Sequence, residues 1–418
     1  MCTPTLKKEL DRYINNSKKP ESERGKTHSF PDDLYLAGNG ELKQQFNTYI
    51  NDLIKLPKPP KKAAQEAYFA VLEQIILNLS RCLLTRKWLL IAGSNTKLKN
   101  GLRKFNSSRC HILKSFPITN KVIELLLEEK LIDTKTGKAF RKGNVENNYF
   151  PNKFFAKELI KYSPYVEQII KPPYLRINES ESEYDDFEWD KEHPELESLI
   201  TINEYAKEQS WTLKAPIRQT FKRNPFTSGR LITPFQNLPS RDYDIRKNTL
   251  INGNPIVEVD FNANHLRIFL AFHKQPYKGN DPYIEIAEIA GVDRASVKGV
   301  FVSLLNCEDI NEVKGVALSK KGVSHRDTEK IVNTLKDRYE GIDFFSEFGI
   351  HAMNYEGVIL KEVLLKGIKE DIFMLPIHDA IAVQEHHKER ANEIMLETWS
   401  EVVSEMCGQK VETVTKFE

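Results

Sequence analysis

An acidic segment near the middle of the chain, Asn178–Glu192, contains few of the residues that build a hydrophobic core. Clustered carboxylates are usually solvated, so we interpret residues 178–198 as a linker or a surface loop. A metal-binding segment is the alternative, because carboxylates are also metal ligands. The sequence therefore predicts a chain divided into one part before this segment and a globular part over residues 199–418.

Length and composition indicate a globular protein with more than one domain. A chain of 418 residues is long enough for two or three domains, and 40% hydrophobic with 29% charged residues is a typical globular balance. The formal net charge of +2 argues against a uniformly basic surface but allows local basic patches. Five cysteines without Cys-x-x-Cys spacing argue against a zinc site and favour reduced cytosolic thiols.

The sequence gives no sign of export or membrane insertion. Its first residues, Met-Cys-Thr-Pro-Thr-Leu-Lys-Lys, lack the apolar core of a signal peptide. No apolar run approaches the roughly 18 residues that a membrane span requires. We therefore expect a cytoplasmic protein with no membrane partner, and the sequence does not indicate protein partners.

Residues 1–62 are predicted to be a polar lead-in that ends in a linker. One helix is expected near Gly40–Leu56, and the stretch Lys55-Leu-Pro-Lys-Pro-Pro-Lys-Lys62 closes the segment. Its prolines exclude helix and favour an extended spacer. From Ala63 to Arg86 apolar residues recur at helical spacing, which predicts a long amphipathic helix.

Residues 63–177 are predicted to be a mainly helical domain that contains a winged helix. A helix over Ile118–Leu131, a turn-rich segment over Asp133–Lys138 and a basic, aromatic ribbon over Ala139–Phe155 follow in the order of that motif. The alternative is an ordinary helical domain with a solvated basic face. Clustered basic residues in this region favour nucleic-acid binding: they are Arg103, Lys104, Arg109, Lys114, Lys121, Arg141 and Lys142.

Two aspartates lie where a fold presents side chains rigidly. The segment Ile256–Asp260 alternates as a β-strand does and helical spacing follows over Asn262–Phe272, so Asp260 falls at a strand-to-helix junction. Apolar runs on both sides of His378-Asp379 predict a β-hairpin with this pair at its tip. Taken singly, Asp260 is better explained as a helix cap and His378-Asp379 as a structural turn.

Arg294 and Lys298 are four residues apart in a segment that runs to Asn306. A helix places both on one face. Two fixed cations can bind a triphosphate, the arginine through its planar fork and the lysine as a point charge. The alternative is a solvated basic stripe.

Upstream of Asp260, the segment Thr227–Arg241 combines turn-forming residues with amide and guanidinium groups. Arg230, Gln236 and Asn237 are donors that such a loop can align along a sugar-phosphate backbone. The alternative is a loop without a binding role.

In their order along the chain, these elements resemble the family A DNA polymerases. The order is Thr-x-Gly-Arg-Leu, Gln-Asn-Leu-Pro, a strand that ends in Asp260, Arg-x3-Lys, and His-Asp. The single-subunit phage RNA polymerases, which share that palm, are similar in the last three elements. The resemblance covers about residues 216–390.

This resemblance implies an α+β fold in which residues 199–418 form a polymerase palm. The palm has an antiparallel sheet and reduced helical fingers, because the span from Asp260 to Arg294 is shorter than in the family. The helical domain over 63–177 precedes the palm, and a thumb is a further interpretation of that domain.

Residue by residue, the resemblance implies that Asp260 and Asp379 hold two metal ions. Mg²⁺ is the expected metal, with Mn²⁺ as a substitute, because carboxylate and phosphate oxygens are hard ligands. Two such ions activate the primer hydroxyl and stabilise the leaving pyrophosphate. Lys298 would neutralise charge on the incoming nucleoside triphosphate and could protonate the leaving group, while Arg294 would hold the outer phosphates.

The same resemblance implies that five residues contact primer or template. Arg230 matches the arginine on the primer backbone, and Gln236 and Asn237 match residues that touch template or primer. His378 would lie beside the primer terminus. Glu356, in a helix around Asn354–Gly367, falls near a glutamine that contacts the minor groove.

Several positions depart from the family pattern. His265 replaces the glutamate that blocks the ribose 2′-hydroxyl, and Asn306-Cys307 replaces Tyr-Gly at the end of the fingers helix. These positions govern sugar choice and fit of the nascent pair. Ala380 replaces the carboxylate that follows His-Asp, which the phage RNA polymerases also lack. No Asp-x-Glu set resembles a proofreading exonuclease.

The predicted function is template-directed addition of nucleoside triphosphates to a primer 3′ end, with DNA primer-template as the partner. One alternative is an RNA-synthesising or primase-like polymerase. A second is a catalytically silent DNA-binding regulator with a degenerate palm.

Overall fold

The computed structural model describes residues 3–20, 28–29, 31–53, 62–91, 113, 116–136, 147–177, 193–222, 224 and 227–417. Helices make up 56% and strands 15% of the structure, with antiparallel sheets, which confirms the predicted α+β class. Three predicted features lie wholly or largely outside these residues. They are the Pro/Lys linker, the acidic segment 178–192, and the basic residues Arg103, Lys104, Arg109, Lys114, Arg141 and Lys142.

The described helices, in chain order, are α1 Pro4–Asn16, α2 Gly40–Leu53, α3 Lys62–Thr85, α4 Phe116–Glu128, α5 Lys153–Leu159, α6 Leu196–Lys207, α7 Asn264–Phe272, α8 Pro282–Ala290, α9 Arg294–Leu304, α10 Ile310–Lys321, α11 His325–Arg338, α12 Phe348–Lys369 and α13 Lys388–Cys407. The described strands are β1 His28–Ser29, β2 Leu34–Leu36, β3 Trp88–Ile91, β4 Ile132–Thr136, β5 Asn147–Pro151, β6 Val166–Gln168, β7 Leu175–Ile177, β8 Arg218–Phe221, β9 Arg230–Ile232, β10 Leu250–Ile251, β11 Asn254–Phe261, β12 Met374–Ile377, β13 Ala380–Gln384 and β14 Thr415–Phe417.

The chain folds into two compact units, each assembled from segments that are distant in sequence. Unit 1 comprises Met1–Ile170, Gln209–Pro216 and Pro234–Pro255. Unit 2 comprises Lys171–Glu208, Ile217–Thr233 and Ile256–Glu418. The predicted boundaries at residues 62, 177 and 198 divide the chain into consecutive segments, whereas each unit combines separate segments. These boundaries stay predictions.

Unit 1 contains a helix that the sequence analysis missed. Helix α1 begins after Thr3, whose hydroxyl accepts a hydrogen bond from the Leu6 amide, and Pro4 occupies its first turn. Leu6, Leu10 and Tyr13 of α1 are buried, at the spacing of one helix face. A cap, an early proline and this spacing were a readable helix signal inside the segment predicted to be a polar lead-in.

Helix α3 is the main core helix of unit 1. The predicted helix over Ala63–Arg86 is confirmed, and 78% of its most apolar window is buried. Its stretch Gln65–Thr85 is long and apolar enough to cross a membrane. Polar residues, among them Glu73, Gln74 and Arg81, interrupt the apolar residues of this stretch. Burial of this degree is also typical of the core helix of a globular domain.

The region predicted to be a winged helix contributes strands β4 and β5 to a sheet in the order β1-β3-β5-β4. Helix α4 begins at Phe116 and is followed by the antiparallel pair β4 and β5, in which Thr134 lies opposite Tyr149. The predicted helix is confirmed, but the predicted turn-rich segment over Asp133–Lys138 is strand β4 as far as Thr136. The end of the predicted ribbon, residues 153–155, belongs to helix α5. The winged helix itself stays a prediction, because residues 137–146 between the strands lie outside the described part.

Unit 2 is built around an antiparallel sheet. Strand β11 pairs with β13 on one side and with β14 on the other, and β12 pairs with the far edge of β13. Helix α12 packs against β12, and α13 packs against β13 and β14. A smaller sheet, in the order β7-β8-β9, lies in the same unit, with β9 against α12.

Helices α7 to α11 form a helical cluster in unit 2 with its own apolar core. Phe269 of α7, Tyr283 of α8, Phe301 of α9 and Phe344 after α11 are all buried in this core. The rings of Phe269 and Phe301 meet edge to face with centroids 5.9 Å apart. This core fixes α8 and α9 relative to α7, which follows directly after the strand that carries Asp260.

Candidate active site

Asp260 lies in the centre of the antiparallel sheet of unit 2. The predicted strand is confirmed and continues to Phe261, so Asp260 is its penultimate residue. The Cα partner of Asp260 is Ala380 on β13 and Lys416 on β14. Because strands flank β11 on both sides, the position of this half-buried carboxylate is fixed by backbone hydrogen bonds.

Asp379 lies at the tip of the predicted hairpin, which is confirmed. Strands β12 and β13 pair as far as Ile377 and Ala380, and His378-Asp379 form the two-residue turn between them. His378 has a φ of 55°, a conformation that tight hairpin turns require, and its side chain is exposed. The Phe261 amide donates a hydrogen bond to the Asp379 carbonyl at 3.3 Å. Two aspartates distant in sequence therefore lie on adjacent backbone segments.

The surroundings of Asp379 disfavour its charged form. Burial is the main cause that raises the pKa of Asp379, and the nearby Glu356 carboxylate raises it further. The nearby His265 and Lys298 side chains act in the opposite direction. Asp379 is thus within electrostatic range of three other residues that the sequence analysis assigned to the site.

Glu356 organises the inner side of the site. Its carboxylate is only 1% exposed, and Arg230 Nε lies 2.9 Å from its Oε1 as an ion pair. Its Oε2 accepts a hydrogen bond from Arg230 Nη2 at 3.1 Å and is hydrogen-bonded to His265 Nε2 at 2.7 Å. Burial alone would raise the pKa of Glu356, but the hydrogen bond with His265 and the Arg230 charge outweigh it and lower the pKa. The arrangement joins strand β9, helix α7 and helix α12 through one ionised carboxylate.

Two glycines allow Arg230 to reach Glu356. Gly229 has a φ of +62°, and a Cβ at Gly357 would lie 2.0 Å from the Gly229 carbonyl oxygen. Ser228, also at positive φ, donates its amide hydrogen to the Ile350 carbonyl at 3.1 Å. The backbone of this loop therefore packs directly on the backbone of α12, which explains the glycine in the Thr-x-Gly-Arg sequence.

Arg294 and Lys298 lie on helix α9, as predicted, but in different environments. Arg294 donates from Nε to Asp281 Oδ2 at 2.8 Å and from Nη2 to Asn262 Oδ1 at 3.3 Å. Lys298 is exposed, and among the residues that the structure describes it has no ion pair within 4.0 Å. Lys298 is thus available to a ligand. Arg294, in contrast, is already hydrogen-bonded to Asp281 and to Asn262, which follows the end of β11.

Arg267 connects the end of β11 to the start of α8. Its side chain is 2% exposed and donates hydrogen bonds to four carbonyl oxygens: those of Asn262, Tyr277, Gly279 and Asn280. Asp281 then caps α8 by accepting from the Tyr283 amide at 2.9 Å. Arg267 therefore positions the loop that bears Asp281, the partner of Arg294.

Asn306 lies just beyond the end of α9. It is exposed, and its Nδ2 donates to the Val302 carbonyl at 2.7 Å. A Cβ at Gly349, in the first turn of α12, would lie 2.4 Å from Asn306 Oδ1, so these two elements are in close contact. Cys307 is buried in the core of the helical cluster.

Gln236 and Asn237 belong to unit 1, whereas the other predicted site residues belong to unit 2. They lie in the short 3-10 helix Phe235–Asn237. Gln236 is 9% exposed, and its carbonyl accepts a hydrogen bond from Arg246 Nη1 at 2.9 Å. The predicted contacts of this pair with primer or template stay predictions.

Three further residues at this site were not predicted from the sequence. Asp281-Pro282 was a readable helix start, a cap followed by proline in the first turn. Tyr283 is fully buried, and burial followed by the charge of Asp379 raises its pKa. Lys416 Nζ lies 3.1 Å from Asp260 Oδ2. No local signal could have revealed this last contact, because the two residues come from distant strands.

The residues at this site fit a hard divalent cation. Asp260 and Asp379 offer carboxylate oxygens, which Mg²⁺ and Mn²⁺ prefer. A cation beside Asp379 would offset the burial and the Glu356 charge that disfavour its anion. Within the described ranges there is no group of three or more His, Cys, Asp or Glu residues arranged to hold a metal.

We expect Glu356→Gln to lower the free energy of unfolding at neutral pH by about 1–3 kcal/mol, because a buried carboxylate then no longer offsets the Arg230 charge. The pKa of Glu356 is lowered in the fold. Its contribution is therefore complete above its ordinary pKa of about 4.3 and is lost as pH falls through the lower folded value.

Urea unfolding followed by circular dichroism measures this effect across a pH series. The difference between wild type and Glu356→Gln should narrow as the solution is acidified below the ordinary pKa. A difference that stays constant with pH would contradict the ionised state assigned to Glu356.

Comparison with known proteins adds no relative. The sequence matches no protein-family model, and a search of curated proteins finds no significant similarity.

Proposed function

We propose that this protein is a template-directed nucleotidyltransferase that adds nucleoside triphosphates to a primer 3′ end, with DNA as product. Unit 2 would be a reduced polymerase palm of the family A type. The observation that carries the proposal is the pairing of β11 with β13, which sets Asp260 beside Asp379. Lys298, His265 and Glu356 surround Asp379 closely enough to influence its pKa.

In this proposal Asp260 and Asp379 hold two Mg²⁺ ions, for which Mn²⁺ can substitute. When bound, such ions increase the nucleophilicity of the primer hydroxyl and stabilise charge on the leaving pyrophosphate. Asp260 is fixed by strands on both sides, and Asp379 by a two-residue turn. Rigid carboxylates lose little conformational freedom when they bind a ligand.

Arg294 and Lys298 would bind the triphosphate from helix α9. Lys298, exposed on this helix, supplies a point charge for the phosphates and could protonate the leaving group. Arg294 would exchange the Asp281 carboxylate for the outer phosphates, since the oxygens of both groups can accept paired hydrogen bonds from a guanidinium. Its side chain is 38% exposed and therefore accessible to a phosphate group.

Arg230 and His265 would face the primer end and the nucleotide sugar. Glu356 is 1% exposed, so we propose that it positions these two side chains rather than contacting the minor groove itself. The exposed His378 would lie beside the primer terminus. Gln236 and Asn237 would contact primer or template from unit 1.

Extension of a labelled DNA primer on a template tests the proposal. The purified chain with Mg²⁺ should add deoxyribonucleotides, and should need both template and primer. Faster addition of ribonucleotides, or synthesis without a primer, would instead assign the RNA-synthesising or primase-like activity. Salt-sensitive DNA binding with no incorporation of any nucleotide would refute the proposal and favour a silent DNA-binding regulator.

A further inference from the structure

Strand β14 brings a lysine directly opposite Asp260. In the antiparallel pair of β11 and β14, Val259, Asp260 and Phe261 lie opposite Phe417, Lys416 and Thr415. Directly opposed residues of such a pair point to the same face of the sheet. Lys416 Nζ accordingly lies 3.1 Å from Asp260 Oδ2, with the lysine side chain 45% exposed and that of Asp260 21% exposed.

Further contacts hold this lysine in register. The Asn262 amide donates a hydrogen bond to the Val414 carbonyl at 2.9 Å, immediately before β14. The Thr415 hydroxyl is hydrogen-bonded to Asn392 of α13, and Lys388 of α13 lies 5.9 Å from the centroid of the Phe417 ring. The backbone of Lys416 is therefore held in place beside Asp260, and only the flexible side chain that carries the ammonium can move.

We propose that Lys416 is a positioning residue of the metal site: its ammonium neutralises Asp260 before a metal binds, and it competes with that metal for the carboxylate. This inference rests on the proposed role of Asp260 as a metal ligand. An ammonium and a divalent cation are attracted to the same carboxylate oxygens and repel each other at this separation. The site would then bind a free ion weakly, and bind it firmly only when a triphosphate adds oxygen ligands.

Binding of Mn²⁺ alone, with no nucleotide and no primer, tests this inference. Titration followed by the electron paramagnetic resonance of free Mn²⁺ gives the dissociation constant directly. Lys416→Gln should lower that constant about fivefold, which corresponds to about 1 kcal/mol. Lys416→Arg keeps the positive charge and should retain the wild-type constant. The Mg²⁺ concentration for half-maximal primer extension should fall in Lys416→Gln by a similar factor.

Lys410→Gln is the matched control. The Lys410 side chain is 90% exposed, and that of its partner Glu412 is 79% exposed. Lys410→Gln therefore removes one positive charge, as Lys416→Gln does, but from a lysine that is not paired with Asp260. The control should leave Mn²⁺ binding unchanged. A decrease of the dissociation constant in Lys410→Gln equal to that in Lys416→Gln would overturn the inference, because it would reflect net charge alone.

Asp260→Asn separates failure of this inference from failure of the proposed function. Loss of Mn²⁺ binding in Asp260→Asn, with no change in Lys416→Gln, would refute the role of Lys416 and leave the metal site intact. Unchanged binding in Asp260→Asn and in Asp379→Asn would refute the metal site and the inference together. Thermal unfolding of each variant verifies that its fold is retained.

Discussion

Asp260→Ala and Asp379→Ala should each reduce primer extension at saturating Mg²⁺ by at least about 10³-fold, since each change removes a carboxylate from the proposed two-ion site. The two carboxylates come from different elements, one from the middle of a sheet and one from a hairpin turn. The residues directly next to them in the sequence, Val259 and Phe261 for Asp260 and His378 and Ala380 for Asp379, carry no carboxylate. We therefore expect no rescue by an adjacent residue.

The control for this pair is Asp337→Ala, which removes an exposed carboxylate on α11. It should extend primers at the wild-type rate. Binding of primer-template to the two inactive variants should stay within a few-fold of wild type, measured by fluorescence anisotropy. Wild-type extension by either Asp260→Ala or Asp379→Ala would contradict the assignment of the active site.

Gly357→Ala should destabilise unit 2 by about 3 kcal/mol or more, because overpacking of this kind displaces backbone. A Cβ on residue 357 would lie 2.0 Å from the Gly229 carbonyl oxygen and 2.9 Å from its carbonyl carbon. Alanine is favoured over glycine inside a helix by roughly 1 kcal/mol, so the contact outweighs the gain in helix propensity. Urea unfolding followed by circular dichroism measures the net effect.

Gly315→Ala, also inside a helix, should change stability in the opposite direction and serves as the matched control. Gly315 lies inside helix α10, and a Cβ there would have no atom within 4 Å. This variant should be more stable than wild type by about 0.5–1 kcal/mol. In Gly357→Ala the loop that carries Arg230 must move away from Glu356, so primer extension should fall as well. Equal stability of the two variants would contradict the close packing of the Gly229 loop on α12.

Local patterns in the sequence were sufficient to predict the elements that carry the two aspartates. Alternation over Ile256–Asp260 predicted a strand, and apolar runs around His378-Asp379 predicted a hairpin with the pair at its tip, both of which are confirmed. Each pattern shows which residues in a short segment are buried, and this local information is sufficient to predict a strand or a hairpin. Helix α9 with Arg294 and Lys298 is confirmed for the same reason.

Contacts between distant segments could not be predicted in this way. The carboxylate of Glu356 binds Arg230 and His265, which lie far from it in sequence, and Lys416 meets Asp260 across two strands. Such contacts depend on register and packing, which a single sequence does not determine. A second kind of error was compositional: the polar character of the first residues concealed α1, although Thr3 and Pro4 mark its start.

Diffraction from crystals soaked in Mn²⁺ with primer-template and a non-hydrolysable nucleoside triphosphate tests the central claim most directly. Anomalous scattering locates the manganese ions independently of any assumed role. We expect manganese coordinated by carboxylate oxygens of both Asp260 and Asp379 and by triphosphate oxygens, at the distances of about 2.0–2.2 Å that octahedral hard cations favour. Manganese bound elsewhere, with neither aspartate as a ligand, would contradict the account.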